Sequence, residues 1–187
     1  MRVVLILSAF LALAACQKPQ QQAANEAAAT AQVGPQKGVD RSHRGKPAPD
    51  AAFSDPDGGE TSLAEFSGKP VLVNLWATWC APCRKELPTL DRLSQSRKDV
   101  TVLAVSQDMG PQASVEAALQ HMNIANLGAY QDSKMSFSGA LGPDAVLPTS
   151  ILYDANGKEV WRYVGDLDWT NPEAARLLAE AKPGGTG

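Results

Sequence analysis

Val71-Leu72-Val73-Asn74-Leu75-Trp76-Ala77-Thr78-Trp79-Cys80-Ala81-Pro82-Cys83-Arg84-Lys85-Glu86-Leu87 is the stretch from which the rest of the chain can be placed. Its first half is a nearly continuous apolar run, which suits a strand covered on both faces. Its second half passes into residues 84–98, where Leu87, Leu90 and Leu93 recur at helical spacing. Pro88 is expected to bend that helix. Cys80 and Cys83 therefore fall at a strand-to-helix junction, with Cys80 at or just before the first helical turn. Unpaired amides and the positive end of the helix dipole favour a thiolate there. Such a site holds a thiol below its ordinary pKa and makes it the attacking species in disulfide exchange. Pro82 occupies the first turn, where a missing N–H costs little. Two cysteines two residues apart can open and close one disulfide with little backbone movement, and C-x-x-C in this setting reads as a redox motif.

Two other uses of the same spacing fit less well. A closed zinc site needs four ligands, and the chain offers only Cys16, His43 and His121 besides this pair, with no second pair at ligand spacing. A static structural disulfide across two residues constrains the unfolded chain very little.

The chain has 187 residues and a formal charge of −3, enough length for one domain with appendages. Nothing in this balance points to nucleic acid or to a polybasic membrane surface, and no cofactor is called for. Arg2 followed by the apolar residues 3–12 reads as a targeting leader, too short for a permanent span. Leu13-Ala14-Ala15-Cys16 resembles a bacterial lipobox, which implies a signal peptide over 1–15 and a lipid on Cys16. The alternative is an ordinary secretory signal cut near Ala15. Gln17 follows the cysteine where an Asp would signal inner-membrane retention, so the location expected is the cell envelope, lipid-anchored and facing the periplasm or the outer face of the membrane. Residues 16–45 are polar, Ala-rich and without apolar period, and read as the lipidated cysteine and a flexible linker.

A folded domain is expected over 46–182, with a flexible tail at 183–187. It enters as an extended, Pro-limited edge segment at 46–53, followed by a turn at 55–59. The spacing predicts strands over 71–78 and 100–105, a helix over 111–122, a short strand at 127–130 and a short helix or loop at 133–141. Strands at 148–153 and 159–164 flank the turn Asp154-Ala155-Asn156-Gly157, and a closing helix covers 168–181, capped by Thr170 or Asn171. Glu86 lies three residues after Cys83 and shares its helix face with Leu90 and Leu93. It is expected to be partly buried beside the sulfurs, where desolvation raises its pKa toward the range useful for proton transfer. Its other reading is a surface partner of Lys85 or Arg92. Met109, Met122 and Met135 read as core or loop filler, and Trp76 and Trp79 as packing and rim residues.

Gly68-Lys69-Pro70-Val71-Leu72-Val73-Asn74, the run from Trp76 to Pro88 around the cysteines, and Leu147-Pro148-Thr149-Ser150 followed by Asp154-Ala155-Asn156-Gly157-Lys158 resemble the TlpA/ResA branch of the thioredoxin superfamily. The resemblance spans about 46–182. It implies an α/β thioredoxin fold: a central mixed β-sheet flanked by helices, with an N-terminal β extension and a TlpA-type central insertion. It further implies a membrane-tethered thiol-disulfide oxidoreductase, usually a reductant of partner cysteines in cytochrome c or cytochrome oxidase assembly, fed by an upstream membrane thiol reductant. Cys80 is then the nucleophile and Cys83 the resolving thiol of a redox-active disulfide. Pro148 matches the family's cis-proline, although only a small minority of X-Pro bonds are cis and nothing local dictates it. Asn74 stands where many thioredoxins carry a buried Asp. An amide cannot take a proton, so acid-base work falls to Glu86. A disulfide donor and a Cu(I) metallochaperone remain the alternative uses of the same cysteines.

Overall fold

Residues 36–181 are described by the computed structural model of the chain. The leader, Cys16, most of the predicted linker and the tail at 183–187 lie outside them. Among the described residues, eight strands form one sheet, and no helix is long and apolar enough to cross a membrane. In chain order the elements are β1 (Gly38–Asp40), β2 (Phe53–Ser54), β3 (Glu60–Thr61), a 3-10 turn (Leu63–Phe66), β4 (Val71–Trp76), α1 (Ala81–Ser96) and β5 (Thr101–Ser106). They continue with α2 (Gln112–His121), β6 (Tyr130–Gln131), α3 (Ser136–Ala140), β7 (Thr149–Tyr153), β8 (Glu159–Val164) and α4 (Pro172–Ala179).

The strand order is β1-β8-β7-β4-β5-β6-β2-β3. β4, β5 and β6 run parallel, while β7 pairs antiparallel with β4 and β8 with β7, so the sheet is mixed. β4 is central and fully buried. Side chains alternate across a strand, and on β4 this sends Leu72 and Trp76 to one face and Val71, Val73 and Leu75 to the other. The first face packs against Leu87, Leu90 and Leu93 of α1, Val115 and Leu119 of α2, and Leu177 and Leu178 of α4. The second is covered by Phe53, Leu63 and Phe137. Asn74 shares the parity of Leu72 and Trp76, so it looks toward α1. Asn171 caps α4, accepting from the Ala174 N–H, and Pro172 opens it.

Two expectations change. The folded chain begins before residue 46: β1 pairs antiparallel with β8, the Gly45 N–H donates to the Glu159 carbonyl at 2.7 Å, and Arg41 and Arg44 both reach Glu180. A three-residue strand whose one apolar side chain is Val39 has almost no hydrophobic signature, because its pairing depends on the free edge of β8. The sixth strand is Tyr130–Gln131 where 127–130 was expected, while Leu127 and Ala129 are used as core. Pro88 lies inside α1 and does not end it.

Candidate active site

Cys80 and Cys83 are joined by a disulfide with their Cα atoms 5.3 Å apart. β4 ends at Trp76, the chain turns through Ala77-Thr78-Trp79, and Cys80 becomes the N-cap of α1. The backbone N–H of Cys83 points at the Cys80 Sγ, 3.3 Å away. That donor and the helix dipole both favour negative charge on Cys80 Sγ when the disulfide opens. Cys83 is fully enclosed, while Cys80 keeps 6 % of its surface exposed. The turn is held from the next strand. Asp108, two residues past the end of β5, accepts from the Thr78 N–H at 2.9 Å and from its hydroxyl at 2.7 Å, and Ser106 Oγ donates to the same carboxylate at 2.7 Å. Local sequence does not announce this clamp, but the parallel register of Trp76 with Ser106 sets Thr78 beside Asp108.

Glu86 is buried, not at the surface, and its partners are neither Lys85 nor Arg92. It is 3 % exposed. Asn74 Nδ2 donates to Oε1 at 2.7 Å and the Leu167 N–H to Oε2 at 3.1 Å. Desolvation is the largest influence and pushes the acid up to about 7. The bonds from Asn74 and Leu167 pull the other way, as does the nearby Trp169 indole, while Asp166 adds to the rise. The Trp169 Nε1 itself makes no well-formed hydrogen bond. The Leu147–Pro148 peptide bond is cis.

Beside this centre lies a groove of about 460 Å3, lined among others by Trp79, Asp108, Met109, Met135, Val146 and Leu147. Trp79 precedes Cys80 and Leu147 precedes Pro148, so the groove borders the disulfide by chain continuity. All the large apolar side chains exposed among the described residues (Trp79, Met109, Met135 and Val146) line it. Of the two places expected for the methionines, core or loop, Met109, at 80 % exposure, and Met135 take the loop, where they form the rim of the groove. Only Met122 packs against the core. Met135 owes its place to Asp132, which caps α3 by accepting from the Ser136, Phe137 and Ser138 N–H groups. Among the described residues no cluster of three metal-ligating His, Cys, Asp or Glu side chains occurs.

The redoxin family matches residues 43–178. The thiol-disulfide oxidoreductase ResA of Geobacillus thermodenitrificans (strain NG80-2) is 36% identical over 143 residues, 74% of this chain and 78% of that protein. The thiol:disulfide interchange protein DsbE of Pseudomonas fluorescens biotype C is 33% identical over 149 residues, 74% of this chain and 80% of that protein. A crystal structure from Chlorobium tepidum, provisionally named thiol:disulfide interchange protein DsbE, superposes with a TM-score of 0.64 at 26% identity, covering 74% of this chain and 96% of the other. A dithiol at a helix N-cap, on a thioredoxin-like sheet shared with these relatives, places the chain in the redoxin family as a TlpA/ResA-like thiol-disulfide oxidoreductase.

Proposed function

We propose that this oxidoreductase works outside the cytoplasm, tethered to a membrane by a lipid on Cys16, and reduces disulfides in partner proteins of cytochrome c or cytochrome oxidase assembly. An upstream membrane thiol reductant restores its own dithiol, because an oxidising compartment lacks a cytosolic-type thiol buffer. The observation that carries a protein substrate is the apolar groove bordering the cysteines, since a small thiol needs no such surface. Its two methionines are adaptable contacts for an apolar segment flanking the partner's cysteine.

In the forward step the Cys80 thiolate attacks one sulfur of the partner disulfide. The partner S–S bond breaks, a Cys80–partner bond forms, and the second partner sulfur leaves as a thiolate that takes up a proton. The Cys83 thiol then gives its proton to the Glu86 carboxylate and attacks Cys80 Sγ. The first partner sulfur departs as a thiolate and is protonated in turn. The partner gains two electrons and two protons, and the Cys80–Cys83 disulfide re-forms. Burial supports this order of attack, because Cys80 alone of the pair keeps exposed surface. Pro148 serves as the wall of the site opposite the cysteines.

Cys83→Ser is expected to trap a covalent partner adduct, resolved by thiol treatment on a non-reducing gel, whereas Cys80→Ser traps none. The reverse pattern overturns the assignment of nucleophile and resolving thiol.

A further inference from the structure

The hydrogen bonds around Glu86 are one-sided. Asn74 is fully enclosed on β4, and strand register sets it directly opposite Ser150 of β7, which is enclosed as well. Its Nδ2 donates both to Glu86 Oε1 at 2.7 Å and to Ser150 Oγ at 2.9 Å. Its Oδ1 is buried with no partner at all. The Leu167 N–H occupies the second carboxyl oxygen. Glu86 is therefore met only by donors, which suits an ionised carboxylate, a pure acceptor. A protonated Glu86 has an O–H of its own that needs an acceptor, and neither the Asn74 Nδ2 nor the Leu167 N–H is one.

Turning the Asn74 amide by half a rotation about its last torsion supplies that acceptor. Oδ1 then takes the place of Nδ2 and receives the Glu86 O–H and the Ser150 O–H. The hydroxyl of Ser150 is both donor and acceptor, so it can follow the reversal. Among the described residues its only side-chain hydrogen bond is the one to Asn74. The rotation gives up the two bonds of Nδ2 and replaces them with two to Oδ1, an end that holds no bond of its own. Each orientation satisfies the same two neighbours with opposite polarity.

We propose that Asn74 is a positioning residue whose amide reverses as Glu86 gains or loses a proton, keeping the acid hydrogen-bonded in both states without backbone movement. The inference rests on the proton-transfer role proposed for Glu86. It gives an amide, at a position where many thioredoxins carry an acid, a task performed without any change in its own protonation. A fixed amide would favour the ionised form alone, whereas a proton carrier must be stable in both.

The other charged groups acting around Glu86 are Asp166 in the loop after β8, Tyr163 on β8 and Lys37 ahead of β1, with Lys85 of α1 paired to Asp166. Lys37 holds Asp166 below the usual carboxylate range, and Lys37 is itself raised by that pairing. Burial raises Tyr163. None of these three shifts carries its group into the neutral range, so a transition there belongs to Glu86.

The full-length oxidised chain, with 13C-labelled Glu carboxyls and 15N-labelled Asn side chains, is titrated by NMR from about pH 5 to about pH 9. The expected result is that both Asn74 amide protons sit at hydrogen-bonded positions above the Glu86 midpoint and move upfield to unbonded positions below it, with the midpoint of the Glu86 carboxyl carbon and with no such transition in Glu86→Gln. A shift confined to the one proton that faces Glu86, which a fixed amide also gives, overturns the reversal. A Glu86 titration with static Asn74 amide protons overturns the reversal and leaves the proton-transfer role standing. An Asn74 shift that persists in Glu86→Gln overturns it too, by assigning the shift to another group. If Glu86 does not titrate in this range, both the reversal and the proton-transfer role fail. Disulfide exchange activity enters none of these outcomes.

Discussion

Glu86 carries a cost that its neighbours reduce without removing. Burial favours its neutral form, and the hydrogen bonds from Asn74 and Leu167, with the nearby Trp169 indole, only partly restore the anion. The folded state thus holds this proton more tightly than the unfolded chain does, with the acid moved from 4.5 to about 7. The contribution to stability is complete below about pH 4.5 and is lost as pH rises through about 7, because above that the folded state must hold a buried charge. The difference corresponds to about 3 kcal/mol. Glu86→Gln keeps the shape and removes the titration. Urea unfolding of both proteins at about pH 4 and about pH 8 is expected to show wild type losing about 3 kcal/mol relative to the variant between the two. Parallel stabilities across that range would mean that the acid is solvated or permanently neutral. The same residue separates what sequence can and cannot reveal. Its burial follows from spacing alone, three residues from Cys83 on the stripe of Leu90 and Leu93. Its partners do not, because Asn74 is reached through a strand and Leu167 through a loop 81 residues away.

At the scale of elements, β8 shows the same limit more sharply. Simple alternation would put Glu159 and Arg162 on opposite faces. The ladder to β7 pairs Leu152 with Trp161 but Tyr153 with Glu159, so Val160 is an extra residue and Glu159 is brought to the face of Arg162. The result is a buried pair: Nε and Nη2 of Arg162 donate to the two carboxylate oxygens at 2.6 and 3.0 Å, and Nη1 donates to the Leu141 carbonyl at 2.8 Å. This ties β8 to the chain just after α3, and hence to the segment that carries Met135 to the groove. Arg162→Ala leaves an enclosed carboxylate unpaired and is expected to cost about 3–5 kcal/mol. Replacing Glu159 and Arg162 together by Leu and Met is expected to cost much less, since no charge is then stranded. Chemical denaturation of the single and double variants decides it, and equal losses would mean that the pair acts only through its volume. The long apolar elements β4, β5 and α1 were legible because burial on both faces or at helical spacing is written locally. The bulge in β8, the three-residue strand β1 and the exact place of β6 were not, because each is set by the neighbour it pairs with.

For the molecule as a whole, the question is which way electrons run, and that depends on how far the fold stabilises the reduced pair. A strongly oxidising couple needs a reduced form held by thiolate stabilisation, as in DsbA. Here the sheet delivers Cys80 to a helix N-cap, and among the described residues one backbone donor, the Cys83 N–H, reaches its Sγ. Glu86 follows Cys83 by three residues on the same face of α1, and its carboxyl, pushed up to about 7, opposes a second negative charge at that thiol once it ionises. The helix N-terminus and the single Cys83 N–H donor stabilise the Cys80 thiolate, the ionised acid opposes a second negative charge, and with the two in opposition the couple is expected at or below about −220 mV. Equilibrating the full chain against glutathione or dithiothreitol buffers, and counting free thiols by mass after alkylation, measures it directly. A value near about −120 mV would make the protein a disulfide donor to secreted partners and would reverse the direction of transfer, while leaving the groove, the nucleophile and the family unchanged. A low value requires the upstream reductant, because a dithiol that reducing would be spent after one partner disulfide in an oxidising compartment.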